Sequence, residues 1–175
     1  MKKVLFISGS LRAKSINTSL LRAFSDALPE GTEAIWADIN LPLFNEDVES
    51  MSFPEEAMKL KEQILSADAI VISTPEYNRG MSGVLKNAID WASRPYGQSA
   101  WKNKKILVTA VSPGAIGGAL ALYQVKQSLL HLNANVIGQP EFMVGGAGNK
   151  FAETGDLIDN DTKEYIASAL QVLLV

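Results

Sequence analysis

At 175 residues the chain has the length of one well-packed domain and is short for two, so residues 1–175 are expected to form a single domain. Apolar side chains make up 47% of it, charged ones 20%, and the net charge of −3 leaves no basic field for nucleic acid. Cysteine is absent, which excludes disulfides, thiolate chemistry, iron–sulfur clusters and thiolate zinc sites together, so any redox chemistry needs a borrowed group.

Met-Lys-Lys runs straight into the apolar stretch Val4-Leu5-Phe6-Ile7, too brief for a signal peptide. No apolar run reaches the length of a membrane span, so no membrane contact is expected and the compartment is read as the cytoplasm. The first strand, about Lys3 to Ser8, is apolar at consecutive positions, as a strand covered on both faces by helices is. GSLRAKSIN follows, Gly9 to Asn17. Then Leu20, Leu21, Phe24, Ala27 and Leu28 fall at helical spacing until Pro29-Glu30-Gly31 stops the helix.

A second strand is expected near Glu33 to Ile39. Asn40 to Phe53 reads as a long acidic connection, whose Leu41-Pro42-Leu43-Phe44 patch would meet a partner subunit if it is more than a surface loop. A helix from about Pro54 to Ser66 carries Glu55, Glu56 and Glu62 on a solvated face and leads to a third strand, Asp68 to Thr74. TPEYNRGMSG, Thr74 to Gly83, forms the next loop, before a helix from Ser82 to Ser93. A fourth strand at Lys104 to Val111 ends in SPGAIGG, Ser112 to Gly118, before a helix from Ala119 to Leu132.

A fifth strand is expected near Asn135 to Ile137, with Glu141 to Val144 as its extension. The last helix is read as starting near Asp161, with Glu164 completing a capping box. Strands alternating with helices imply a parallel sheet with right-handed crossovers, strand order 2-1-3-4-5 and helices on both faces.

In that order the loops after strands one, three and four are neighbours at one sheet edge, where such folds bind ligands. They are also the loops richest in Gly, Ser, Asn and Pro. The first joins a helix start to Ser10, Ser15, the amide of Asn17 and the fork of Arg12, a set that suits a phosphate. It lacks the G-x-G-x-x-G and G-K-[ST] patterns, which disfavours a tightly held dinucleotide or ATP and leaves a monophosphate. Backbone from Glu76 to Arg79 would meet the edge of a flat heterocycle beside Tyr77, and Ser112 to Gly114 would approach its other side. Turn and cap chemistry alone would use the same residues. His131, the only histidine, is expected packed or partly exposed toward the buried end of a helix, which leaves no Ser-His-Asp set and no metal site.

At these residues the chain resembles the NADPH-dependent FMN reductases, the flavodoxin-like quinone, chromate and azo-dye reductases. The matching pieces are GSLRAKSIN, PEYNRGMSGVLKNAIDW at Pro75 to Trp91, SPGAIGGA at Ser112 to Ala119 and QPEFM at Gln139 to Met143. The resemblance implies a flavodoxin-like three-layer α/β sandwich. It implies FMN with its phosphate at Ser10, Arg12, Ser15, Ile16 and Asn17, its ring against Pro75, Glu76, Tyr77, Asn78 and Arg79, and Ser112 and Gly114 closing the site.

It further implies that NADPH or NADH, as co-substrate, delivers hydride to the flavin, and that a small quinone-like acceptor then takes the electrons. Chromate, azo compounds and free flavin are further acceptors it allows. No catalytic side chain is needed beyond the flavin, and the assembly would be a homodimer or homotetramer. Arg79, where relatives often carry an aromatic, would attract the phosphate of NADPH, and Leu120 replaces a polar residue of some relatives. A flavodoxin-type electron carrier without nicotinamide turnover and a non-enzymatic flavin sensor are the competing readings.

Overall fold

The computed structural model describes residues 1–175. Its elements are β1 (Lys2–Ser8), α1 (Ile16–Asp26), β2 (Thr32–Trp36), α2 (Glu46–Met51), α3 (Glu55–Ser66), β3 (Ala69–Thr74), β4 (Glu76–Tyr77) and β5 (Gly80–Met81). They continue with α4 (Gly83–Ala92), β6 (Lys105–Val111), α5 (Ala119–His131), β7 (Asn135–Val136), β8 (Phe142–Val144) and α6 (Asn160–Leu174).

The main sheet runs β2-β1-β3-β6-β7, all parallel, which is the expected order once the short β4–β5 hairpin is set aside. The consecutive apolar residues of β1, β3 and β6 divide between its two faces. Leu5, Ile7, Ile70, Ile72, Ile106 and Val108 pack against α3, α4 and α5 through Leu60, Ile64, Leu85, Ile89, Leu122 and Leu129. Val4, Phe6, Val71 and Leu107 pack against α1 and α6 through Leu20, Phe24, Ile166 and Leu170. Burial on both faces is why these strands do not alternate with polar residues.

Several local expectations are corrected. β2 stops at Trp36, although Ala37 N–H still donates to Phe6 C=O at 3.0 Å. The Asn40–Phe53 connection contains α2, capped by Asn45, whose side chain accepts from Asp47 N–H at 2.8 Å. Its apolar patch is mostly held by its own chain. Asn87 Nδ2 and Trp91 Nε1 both donate to Pro42 C=O, at 2.9 and 2.7 Å, and Phe44 meets the Trp91 ring edge-on. Leu43 stands clear of the fold, 82% exposed, beside the exposed ring of Pro42.

The fifth strand position is split. β7 pairs with the start of β6 and β8 with its end, six residues spanning what three residues of β6 span, so the segment around Gly138-Gln139-Pro140 bulges out. The cap of α6 is Asp159, two residues earlier than expected; it accepts from Thr162 N–H at 3.0 Å and from Lys150 Nζ at 2.8 Å. His131 is exposed on the last turn of α5 rather than at a buried helix end. No helix is long and apolar enough to cross a membrane.

Candidate functional site

The loops after β1, β3 and β6 meet at the C-terminal edge of the sheet. Gly9 N–H donates to Ser73 C=O at 2.7 Å, and Ser82 Oγ donates to Gly9 C=O at 2.6 Å while accepting the first-turn N–H of Leu85. One hydroxyl therefore caps α4 and ties the first loop to the second. A Cβ on Gly9 would stand 3.0 Å from both Pro75 Cδ and Ser73 O, so the lack of a side chain here lets the two loops pack this closely.

Ser15 caps α1, its Oγ accepting from Thr18 N–H at 3.5 Å, and Ser15 N–H closes on Arg12 C=O at 3.2 Å. The next two amides, Ile16 and Asn17, have no acceptor within the chain. They are the free donors that a helix start presents, at the positive end of its dipole. Ser10 Oγ accepts from Arg12 N–H at 3.3 Å, so its proton is uncommitted, and the Arg12 guanidinium has no carboxylate partner.

These groups line a recess of about 100 Å³ together with Pro75, Glu76, Tyr77 and Ser112. Val111 and Pro113, which the sequence reading did not single out, complete it. Asn78, Arg79 and Gly114 lie outside its lining. A wider cleft of about 600 Å³ adjoins it, shares Ser10, Arg12 and Tyr77, and adds Leu11, Leu43 and Val84 as an apolar wall. The largest cavity, about 860 Å³, lies between the C-terminal parts of α4 and α5, where His131 and Lys102 line it, and includes none of the expected site residues.

Two expected side chains face elsewhere. The Asn17 amide is buried: its Oδ1 accepts from Ser73 Oγ at 2.8 Å and Val111 N–H at 3.4 Å, and its Nδ2 donates to Val111 C=O at 3.3 Å. It locks α1 to β3 and β6, so only the backbone N–H of Asn17 is left for a ligand. The Glu76 carboxylate accepts from Leu120 N–H and Ala121 N–H, at 3.0 and 3.1 Å, and so caps α5, whose own N-cap is Gly118. Neither role is legible in a sequence, because side-chain and backbone participation use the same letters.

The second loop is more ordered than expected. Glu76–Tyr77 and Gly80–Met81 pair antiparallel around Asn78 and Arg79, both left-handed at φ 50° and 65°. Positive φ at both central residues is the hairpin turn that matches strand twist, and Arg79 occupies a place usually taken by glycine. The Asn78 and Arg79 N–H groups make no hydrogen bond within the chain, so the hairpin tip offers donors to a ligand edge. Arg79 reaches back to Glu76 at 3.4 Å. In the third loop Ser112 Oγ accepts from Gly114 N–H at 3.1 Å, and Gly114 C=O takes Gly117 N–H and Gly146 N–H, which fastens the turn to the segment after β8.

Groups with displaced acidity lie away from the recess. Burial lowers Lys61, Lys104 and Lys126, and Glu141 raises Tyr123 through a hydrogen bond. The recess thus gathers unpartnered backbone N–H groups, hydroxyls and one guanidinium, with the free N–H groups of the hairpin tip just beyond its lining and no paired acid and base of its own.

A family model described as NADPH-dependent FMN reductase matches residues 2–149. The chain is 44% identical to an NAD(P)H-dependent FMN reductase of Pseudomonas aeruginosa over 98% of its own length and 92% of the relative's. It is 45% identical to a quinone reductase of Pseudomonas putida over 89% of its length and 84% of the relative's. Among solved structures it is similar to the flavoenzyme NAD(P)H:(acceptor) oxidoreductase FerB of Paracoccus denitrificans, with a TM-score of 0.89 at 36% identity, covering 98% of this chain and 94% of that one.

Proposed function

The chain belongs to the NADPH-dependent FMN reductase family, and from that premise we infer that it is an FMN-dependent NAD(P)H oxidoreductase acting on quinones or other small electron acceptors. One observation carries the reading to this chain's own residues. The unpartnered amides of Ile16 and Asn17 share a recess with the hydroxyls of Ser10 and Ser15 and the unpaired fork of Arg12. That donor set, without a carboxylate paired to Arg12, fits a phosphate monoester such as the one that ends FMN.

Bound FMN supplies the two-electron chemistry between a reduced nicotinamide and the acceptor. The protein binds, orients and polarises. Ser10, Arg12, Ser15, Ile16 and Asn17 would hold the phosphate; Pro75, Glu76 and Tyr77 would flank the ring; Ser112 and Gly114 would close the far side. The unpartnered N–H groups of Asn78 and Arg79 would donate to the edge of the bound ring, preorganised as oxyanion donors are. The Arg79 guanidinium, 68% exposed at the hairpin tip, attracts the phosphate of NADPH.

We assign the protein to the cytoplasm, where reduced nicotinamides are found, and to a homodimer or homotetramer in which Leu43 and Leu11, 82% and 50% exposed, meet a second copy. Titration with FMN tests the cofactor assignment. Saturable uptake is expected, and purified protein that is colourless and takes up no added FMN would overturn it.

A further inference from the structure

The hairpin of β4 and β5 has two residues per strand and two left-handed residues at its tip, so it cannot be held by its own ladder. It is held by α5. The side chain of Gln124, one turn into that helix, lies across the second strand: its Oε1 accepts from Met81 N–H at 3.1 Å and its Nε2 donates to Arg79 C=O at 3.3 Å. Gly80 makes room for it. A Cβ there would stand 3.1 Å from Gln124 Oε1, and Gly80 is not among the glycines with positive φ, so its lack of a side chain serves the amide rather than the turn.

The Gln124 contact has a directional effect. At the tip, Arg79 C=O is occupied by the Gln124 amide while the N–H groups of Asn78 and Arg79 stay free, so the tip presents donors and withholds the Arg79 acceptor. Donors favour a ring that gains electrons; a carbonyl acceptor beside it would oppose that gain.

We propose that Gln124 is a positioning residue for the cofactor site: by clamping Met81 N–H and Arg79 C=O to α5, it fixes the hairpin tip as a donor edge that stabilises the reduced ring. This rests on the FMN reading above. Gln124 touches neither the recess nor the adjoining cleft, and its effect is transmitted through the hairpin backbone.

The test compares wild type with Gln124→Met, which keeps length but loses both hydrogen bonds, and with Gly80→Ala, which crowds the amide without removing it. FMN affinity, the flavin midpoint potential and the melting temperature of the FMN-free protein are measured for each. Gln124→Met is expected to weaken FMN by roughly three- to tenfold, the scale of about one hydrogen bond, and to move the potential to more negative values. Gly80→Ala should shift both the same way by less. Wild-type affinity and potential in Gln124→Met would overturn the inference while leaving the FMN reading standing. Lost affinity at an unchanged potential would make Gln124 merely structural and overturn it too. A wild-type chain that takes up no FMN would overturn both.

Discussion

The hydroxyl of Ser73 donates to the side-chain carbonyl of Asn17 at 2.8 Å, and the same buried amide bonds both N–H and C=O of Val111. One residue in the first turn of α1 thereby fixes the ends of β3 and β6, the strands whose following loops complete the recess. Asn17→Ala leaves the buried Ser73 hydroxyl without its partner and removes both side-chain bonds to Val111. Each uncompensated group costs about 1–3 kcal/mol, so a loss of roughly 2–4 kcal/mol is expected in urea unfolding. A variant as stable as wild type would show that the amide is dispensable to the fold.

Arg12 is exposed and unpaired, so its removal should spare the fold. Arg12→Ala is expected to weaken FMN by about 1.5–3 kcal/mol, the worth of a charge-assisted contact, with unchanged urea unfolding of the FMN-free protein. Unchanged FMN affinity would remove the first loop as phosphate anchor.

Arg79 tests co-substrate choice. If its guanidinium meets the extra phosphate of NADPH, Arg79→Ala raises the KM for NADPH more than that for NADH. Steady-state assays with both nicotinamides measure this, and an equal effect on the two would sink the assignment.

At the far end of the chain, hydrogen bonds from Lys150 and Thr162 hold the Asp159 carboxyl down from 3.8 to about 2. The folded value lies below the unfolded one, so this cap contributes stability above about pH 4 and loses it as pH falls through about 2. Lys150→Met removes the first of those causes. Its acid unfolding should begin at higher pH than that of wild type, read by circular dichroism, while coincident acid limbs would contradict the account.

The strand order and the convergence of three loops were legible because β1, β3 and β6 are unbroken apolar runs and their following loops are rich in turn residues. The β4–β5 hairpin was not: two-residue strands carry no periodicity, and Asn78-Arg79 lacks the glycine that marks such a turn. α2 was hidden in an acidic connection with no buried face. The cap of α6 is ambiguous in the sequence because Asp159 and Asp161 are both acceptable caps, and the bond to Lys150 that favours the former comes from a residue nine positions away. Asn17 and Glu76 read as site residues in the sequence, but their side chains serve packing and capping, which only the tertiary structure decides.

The central claim is that this recess anchors the phosphate of a flavin that the protein lets a nicotinamide reduce and a quinone reoxidise. Anaerobic addition of NADPH, and separately NADH, to the FMN-loaded protein, followed by benzoquinone, tests it directly. The account predicts loss of the oxidised flavin absorbance with at least one nicotinamide and its return on adding the quinone. Bound FMN that neither nicotinamide bleaches would contradict it.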